Sequence, residues 1–125
     1  MTGSADILLT PAQRDELLKV FGAFVPAVTR VDVFGSRASG SARPGSDVDL
    51  VVDGAVDDAV VARIARALDD SYLSIFADVT SYAALSDDSF GRAVRQSARP
   101  LFDAEDLRAA PRFIPVDGRS DWYHA

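Results

Sequence analysis

The chain has 125 residues, 48% hydrophobic and 26% charged, with a formal net charge of −6. That is enough chain for one domain with a real core and ordinary globular composition, which excludes wholesale disorder, collagen-like and low-complexity character. With no cysteine and a single histidine, His124, there can be no disulfide framework, thiol nucleophile, cysteine-bound metal or histidine-cluster site. The acidic balance opposes direct, sequence-independent binding of nucleic acid. No apolar run approaches a membrane span, and the opening MTGSADILLT lacks the pattern of a signal peptide, so a cytoplasmic protein is expected.

The elements follow in chain order. Thr10-Pro11-Ala12-Gln13 predicts a helix start: Thr caps, Pro takes the first helical position and Gln completes a capping box. Leu17, Leu18, Phe21 and Val25 continue a helical stripe that Pro26 ends. Residues 30–34 (RVDVF) alternate polar and apolar, as a strand does. A small-residue stretch, 35–46, separates this strand from a second over 47–52 (DVDLVV), closed by the Asp53-Gly54 turn. Residues 57–70 carry Val60, Ile64, Ala67 and Leu68 on one helix face, and 73–80 predict a third strand. A polar helix over 86–99, with Phe90 and Val94 facing inward, stops at Pro100, and Leu101-Phe102 suits a short edge element. The expected architecture is α/β (α+β), a small mixed sheet with helices packed on it. The domain is expected to span 1–103. Residues 104–125 read as a tail, either disordered or binding a partner through Phe113, Ile114, Trp122 and Tyr123.

The chemistry concentrates in residues 34–50. An Asp-x-Asp pair is common by chance in a chain with 17 aspartates, and a Gly/Ser-rich loop between strands is ordinary. Together they say more. Period-two geometry puts Asp47 and Asp49 on one face of their strand, with Val48, Leu50 and Val52 on the other. Two carboxylates so close repel, and a hard cation such as Mg²⁺ between them relieves the repulsion while bridging to phosphate oxygens. Gly35-Ser36 directly follows a strand. Free backbone N–H groups and a hydroxyl there suit an anion, and glycine admits close backbone approach. A phosphate cradle beside metal ligands is what transfer of a nucleotidyl group requires. Asp78, flanked by the apolar Ala77 and Val79, faces the other way from them. If its strand lies beside the second, it is the natural third carboxylate and the base for an acceptor hydroxyl.

Gly35-Ser36, ten residues, Asp47-Val48-Asp49 and a later Asp78 resemble the signature of the DNA polymerase β nucleotidyltransferase superfamily. The stretches Gly35 to Gly40 and Ser46 to Leu50 are most similar to its minimal nucleotidyltransferases, and the likeness runs over roughly residues 10–103. The resemblance implies the polymerase β-like fold, with Asp47, Asp49 and Asp78 as catalytic ligands of a two-metal Mg²⁺ site. It also implies a nucleotide site at Gly35, Ser36, Arg37 and Ser46, with Arg37 pairing with a phosphate. It further implies an antitoxin that transfers AMP from ATP to a tyrosine hydroxyl of a HEPN-type toxin. Two other readings stand beside it: an antitoxin that neutralises by binding alone, and an enzyme acting on a small hydroxylated compound. Arg119-x₄-His124 has the spacing of the HEPN catalytic motif, but the tail's prolines and glycine oppose the helix that motif needs, and the match reads as coincidence.

Overall fold

In the computed structural model, which describes residues 7–116, nine α and β elements alternate along the chain. They are α1 (Pro11–Gly22), β1 (Val28–Phe34), α2 (Ser36–Ser39), β2 (Val48–Gly54), α3 (Asp58–Asp69), β3 (Ala77–Ser81), α4 (Ser89–Ser97), β4 (Arg99–Phe102) and α5 (Ala104–Arg108). A 3₁₀ turn, Tyr82–Ala84, follows β3. The helix starts are written in the sequence. The Thr10 hydroxyl accepts from Gln13 N–H while the Gln13 side chain accepts from Thr10 N–H. Asp57 and Asp88 cap α3 and α4 by accepting from Val60 and Gly91 N–H, and Asp103 accepts from Asp106 N–H at the start of α5. Each such cap satisfies a backbone donor that the helix itself cannot.

The sheet order is β3-β2-β1-β4. Strand β2 runs antiparallel to β1 and parallel to β3, and α3 makes the crossover that a parallel pair demands. Val31, Val33, Val48, Leu50, Val52 and Ala77 line one face of the sheet. They close a single core with Leu17, Val20 and Phe21 of α1, Ile64, Ala67 and Leu68 of α3, and Leu107 of α5. The opposite face carries Asp32, Phe34, Asp49 and Asp78. Val51 and, from α4, Val94 are buried outside the main core. Helices therefore pack one face, and the acidic residues have the other, only partly covered by α4.

Several expectations need correcting. The first helix ends at Gly22, ahead of the half-buried Val25. The third strand begins only at Ala77, and α4 only after its Asp88 cap. Pro100 does not merely stop the helix but sits within edge strand β4, where a missing N–H is tolerated. Phe90, expected inside, is 58% exposed. Residues beyond 103 are also not simply a tail. A second capping box, Asp103 with Asp106, starts α5, Leu107 and Phe113 are each 1% exposed within the core, and Val116 N–H donates to Asp70 O. Ile114 is exposed. Arg119, Trp122, Tyr123 and His124 lie outside the described residues. The boundary failed because α5 is a single short turn with little periodicity, while Phe113 is buried by where the chain returns, not by local pattern.

A Phe113→Ala substitution should therefore cost about 3–5 kcal/mol, measured by urea denaturation, and a chain ending at Asp103 should unfold at still lower denaturant. A tail that contributed nothing to the core would leave both midpoints unchanged.

Candidate active site

The acidic site forms where β1 ends and β2 and β3 begin. Asp49 is the cross-strand partner of Phe34 on β1 and lies level with Asp78 on β3. Level residues on neighbouring strands present their side chains to the same face, so Asp49 and Asp78 stand side by side. Asp47 lies one residue before β2 and is exposed, as is Asp78, while Asp49 is half-buried. The Asp49 carboxyl is held above its ordinary range, first by burial and then by the charges of Asp78 and Asp47. The sequence-predicted trio is thus close enough to interact electrostatically. Among the described residues no three acidic or histidine side chains are drawn into a closed metal cage. That is compatible with Mg²⁺, which keeps waters and takes one or two carboxylates together with substrate phosphates.

Gly35 separates β1 from α2, and its backbone explains its identity. At φ +74° and ψ −151° it occupies a region essentially restricted to glycine. A Cβ built there would lie 2.6 Å from Asp49 Oδ2. The chain thus passes directly against the half-buried carboxylate and leads into α2 at Ser36. Gly40 ends α2 in the left-handed conformation, and the loop then returns to Asp47.

Arg37 differs from expectation. It is 5% exposed, and its guanidinium is spent on backbone carbonyls. Its Nε and Nη2 donate to Ser46 O at 3.1 and 2.7 Å, and its Nη1 donates to Leu8 O. Leu8 N–H in turn donates to Arg37 O. Instead of reaching out for phosphate, Arg37 pins the residue before Asp47 to α2 and to the incoming chain. Ser46 likewise serves the loop, its hydroxyl accepting from Arg43 N–H at 3.0 Å. A cleft of about 710 Å³ opens beside this loop, bordered by Leu9, Gln13, Arg37, Arg43, Ser74 and Ile75. Asp47, Asp49 and Asp78 are not among its lining residues. The cleft adjoins the acidic site without containing it, and the carboxylates occupy an open face.

A second polar group on the acidic face escaped the sequence reading. Asp32 of β1, 5% exposed, accepts from Tyr82 Oη at 2.5 Å and from Arg30 Nε at 3.2 Å. Tyr82 follows β3, so this hydrogen bond reaches across β2 and ties the outer strand to β1. Asp32 Oδ1 is buried without a hydrogen-bond partner among the described residues. Burial, and then the hydrogen bond to the Asp32 carboxylate, raise the Tyr82 phenol to about 12. Strict alternation in RVDVF placed Arg30 and Asp32 on one side of β1. Nothing in the sequence paired them with a residue fifty positions away.

Comparison with known proteins agrees with this geometry. Residues 14–83 match the family model described as nucleotidyltransferase domain, and the chain belongs to that family. It is a nucleotidyltransferase with the polymerase β-like fold. Among solved structures it is similar to a toxin–antitoxin complex with AMP-PNP, at 21% identity and a TM-score of 0.60 over 74% of this chain and 77% of that one. It is also similar to a mutant of the toxin–antitoxin MntA–HpeT carrying two Asp-to-Glu substitutions, at 18% identity and a TM-score of 0.58 over 74% and 76%. The toxin–antitoxin MntA–HepT matches at 17% identity and a TM-score of 0.56 over 78% and 80%. At these identities the likeness is one of fold. A comparison with curated protein sequences finds no match.

Two outcomes test this geometry. Gly35→Ala should lose about 1–3 kcal/mol from backbone strain alone and displace the Asp49 carboxylate, seen as a changed Asp49 titration by carboxyl NMR. In an ultraviolet titration, one tyrosine should ionise near pH 12. A raised folded pKa means that the stabilisation from Tyr82 is complete below the unfolded value near 10 and disappears as pH rises from about 10 to 12. Tyr82→Phe should abolish that late step.

Proposed function

We propose that the protein transfers AMP from ATP, with Mg²⁺, to a tyrosine hydroxyl of a HEPN-type toxin, and so acts as the antitoxin of a toxin–antitoxin pair. The observation that carries the reading is the side-by-side placement of Asp49 and Asp78, with Gly35 bare against the Asp49 carboxylate. Support for the partner comes from the toxin–antitoxin complexes that share the fold, one of them with AMP-PNP. Another carries its two Asp-to-Glu substitutions two positions apart, the spacing of Asp47 and Asp49.

Asp47 and Asp49 would hold the metal, with Asp78 as the third ligand. The donor set is all hard oxygen, and the raised Asp49 carboxyl marks a place where a cation is favourable. When bound, the metal supplies charge neutralisation to the triphosphate. The chain's own residues do the rest. The backbone after Gly35 and the Ser36 hydroxyl bind and orient the phosphates, and Arg37 and Ser46 contribute by fixing the loop around them. Asp78 takes the proton from the acceptor hydroxyl as its oxygen forms a bond to the α-phosphorus. The bond between the α-phosphorus and the bridging oxygen breaks, and pyrophosphate leaves with the electron pair.

An open catalytic face suits an acceptor that brings its own surface. A protein does so, whereas a small hydroxylated compound needs a pocket built around it. The net charge of −6 also favours a basic partner, such as a protein that handles RNA.

Incubation with labelled ATP, Mg²⁺ and the cognate toxin should label the toxin on tyrosine. Asp47→Ala, Asp49→Ala or Asp78→Ala should reduce labelling by more than about a hundredfold, beyond what loss of a group merely supporting a metal ligand costs. Full neutralisation of the toxin by Asp49→Ala would establish the binding-only antitoxin instead.

A further inference from the structure

Phe90 belongs by sequence pattern to the buried stripe of α4, with Val94, yet only Val94 is buried and Phe90 is 58% exposed. Its ring is not free to wander. It stands edge-on to the ring of Phe34, with centroids 6.2 Å apart and planes at 78°, the arrangement aromatic pairs prefer. Phe34 ties this ring to the candidate active site twice. It is the cross-strand partner of Asp49, so its side chain shares the acidic face, and it immediately precedes Gly35, where the backbone lies against that carboxylate. An anchored and largely uncovered aromatic ring therefore borders the phosphate cradle on the Phe34 side of the carboxylates. Singly exposed apolar side chains are common on protein surfaces. This one is held by a second ring, Phe34, that lies next to Gly35 in the chain and opposite Asp49 across the strands.

We infer that Phe90 is the stacking wall for the nucleobase of the bound nucleoside triphosphate, with Phe34 as the buttress that fixes its angle. The inference rests on the nucleotidyltransferase reading above and adds a base subsite to it. A triphosphate seated at Gly35–Ser36 and Asp47–Asp49 projects its nucleoside away from the reacting phosphorus. Phe90 is a largely exposed aromatic ring on that same side of the sheet. Stacking is tolerant of base identity because every base has a π-face, so this wall contributes affinity for nucleotides over bare phosphates more than choice among bases.

The test separates base from phosphate. Binding of ATP and of inorganic tripolyphosphate, each with Mg²⁺, is measured by calorimetry on the full chain and its variants. Phe90→Ala should weaken ATP by about fivefold to a hundredfold, the equivalent of losing one stacked base, and leave tripolyphosphate binding unchanged. Phe90→Trp should keep ATP affinity within about threefold, and its fluorescence should be quenched by ATP but not by tripolyphosphate. An equal loss for both ligands in Phe90→Ala, or no loss for either, would overturn the stacking wall and leave the nucleotidyltransferase reading standing. Absence of binding by ATP and tripolyphosphate to the unaltered chain would overturn both. Thermal melts of the variants guard against misfolding, and the Phe90→Trp fluorescence, taken as the difference from the Trp122 emission of the unaltered chain, reads the contact.

Discussion

Two like charges held level on adjacent parallel strands set the terms for this molecule. Asp49 and Asp78 repel each other, and the half-burial of Asp49 makes the repulsion felt. Nothing local to either residue favours this arrangement. It is imposed from the other side of the sheet, where Val48, Leu50, Val52 and Ala77 pack against α1 and α3. A slip of one residue in the β2–β3 register would move Asp78 into the core and Ala77 onto the acidic face. The hydrophobic effect thus fixes a register that electrostatics alone would oppose.

Around that pair the chain uses polar groups as fasteners. Arg37 is the clearest case: buried, permanently charged and forked, it holds two separated carbonyls, of Leu8 and Ser46, in one place. Its planar donor array suits carbonyl oxygens as well as phosphate. The loop that brings Asp47 back beside Gly35 is short of apolar side chains. A guanidinium beneath it replaces the missing core. Asp32 and Tyr82 do comparable work on the opposite edge, tying the end of β3 across β2 to β1. The site is therefore bracketed by two buried hydrogen-bonded groups, neither of which needs to touch substrate.

The same design leaves the acidic face open. Helices α1, α3 and α5 cover the apolar face of the sheet, and on the other face α4 brings Val94 inward while leaving Phe90 largely uncovered. A domain this small has few elements with which to enclose a reaction.

Much of this was legible before any coordinates. The Thr10/Gln13 capping box announced α1 because a cap is a local hydrogen bond between residues three apart, and the apolar face of Val60, Ile64, Ala67 and Leu68 announced α3. Alternation assigned the faces of β1 and β2, and the spacing of Gly35-Ser36 and Asp47-Val48-Asp49 pointed to phosphate and metal chemistry because both halves lie within one strand–loop–strand unit. Phe90 is not buried as its place in the stripe suggests, because helical periodicity predicts which face is apolar, not how far the neighbouring sheet extends beneath it. The role expected of Arg37 gave way because a charged side chain carries no mark of whether carbonyls or solvent will surround it. What sequence alone determined was the identity and local setting of the acidic residues. Only tertiary structure decided that Asp78 stands level with Asp49, that Tyr82 reaches Asp32, and that Phe113 completes the core, because each of these contacts joins residues far apart in the chain, through a register or packing set by the whole core.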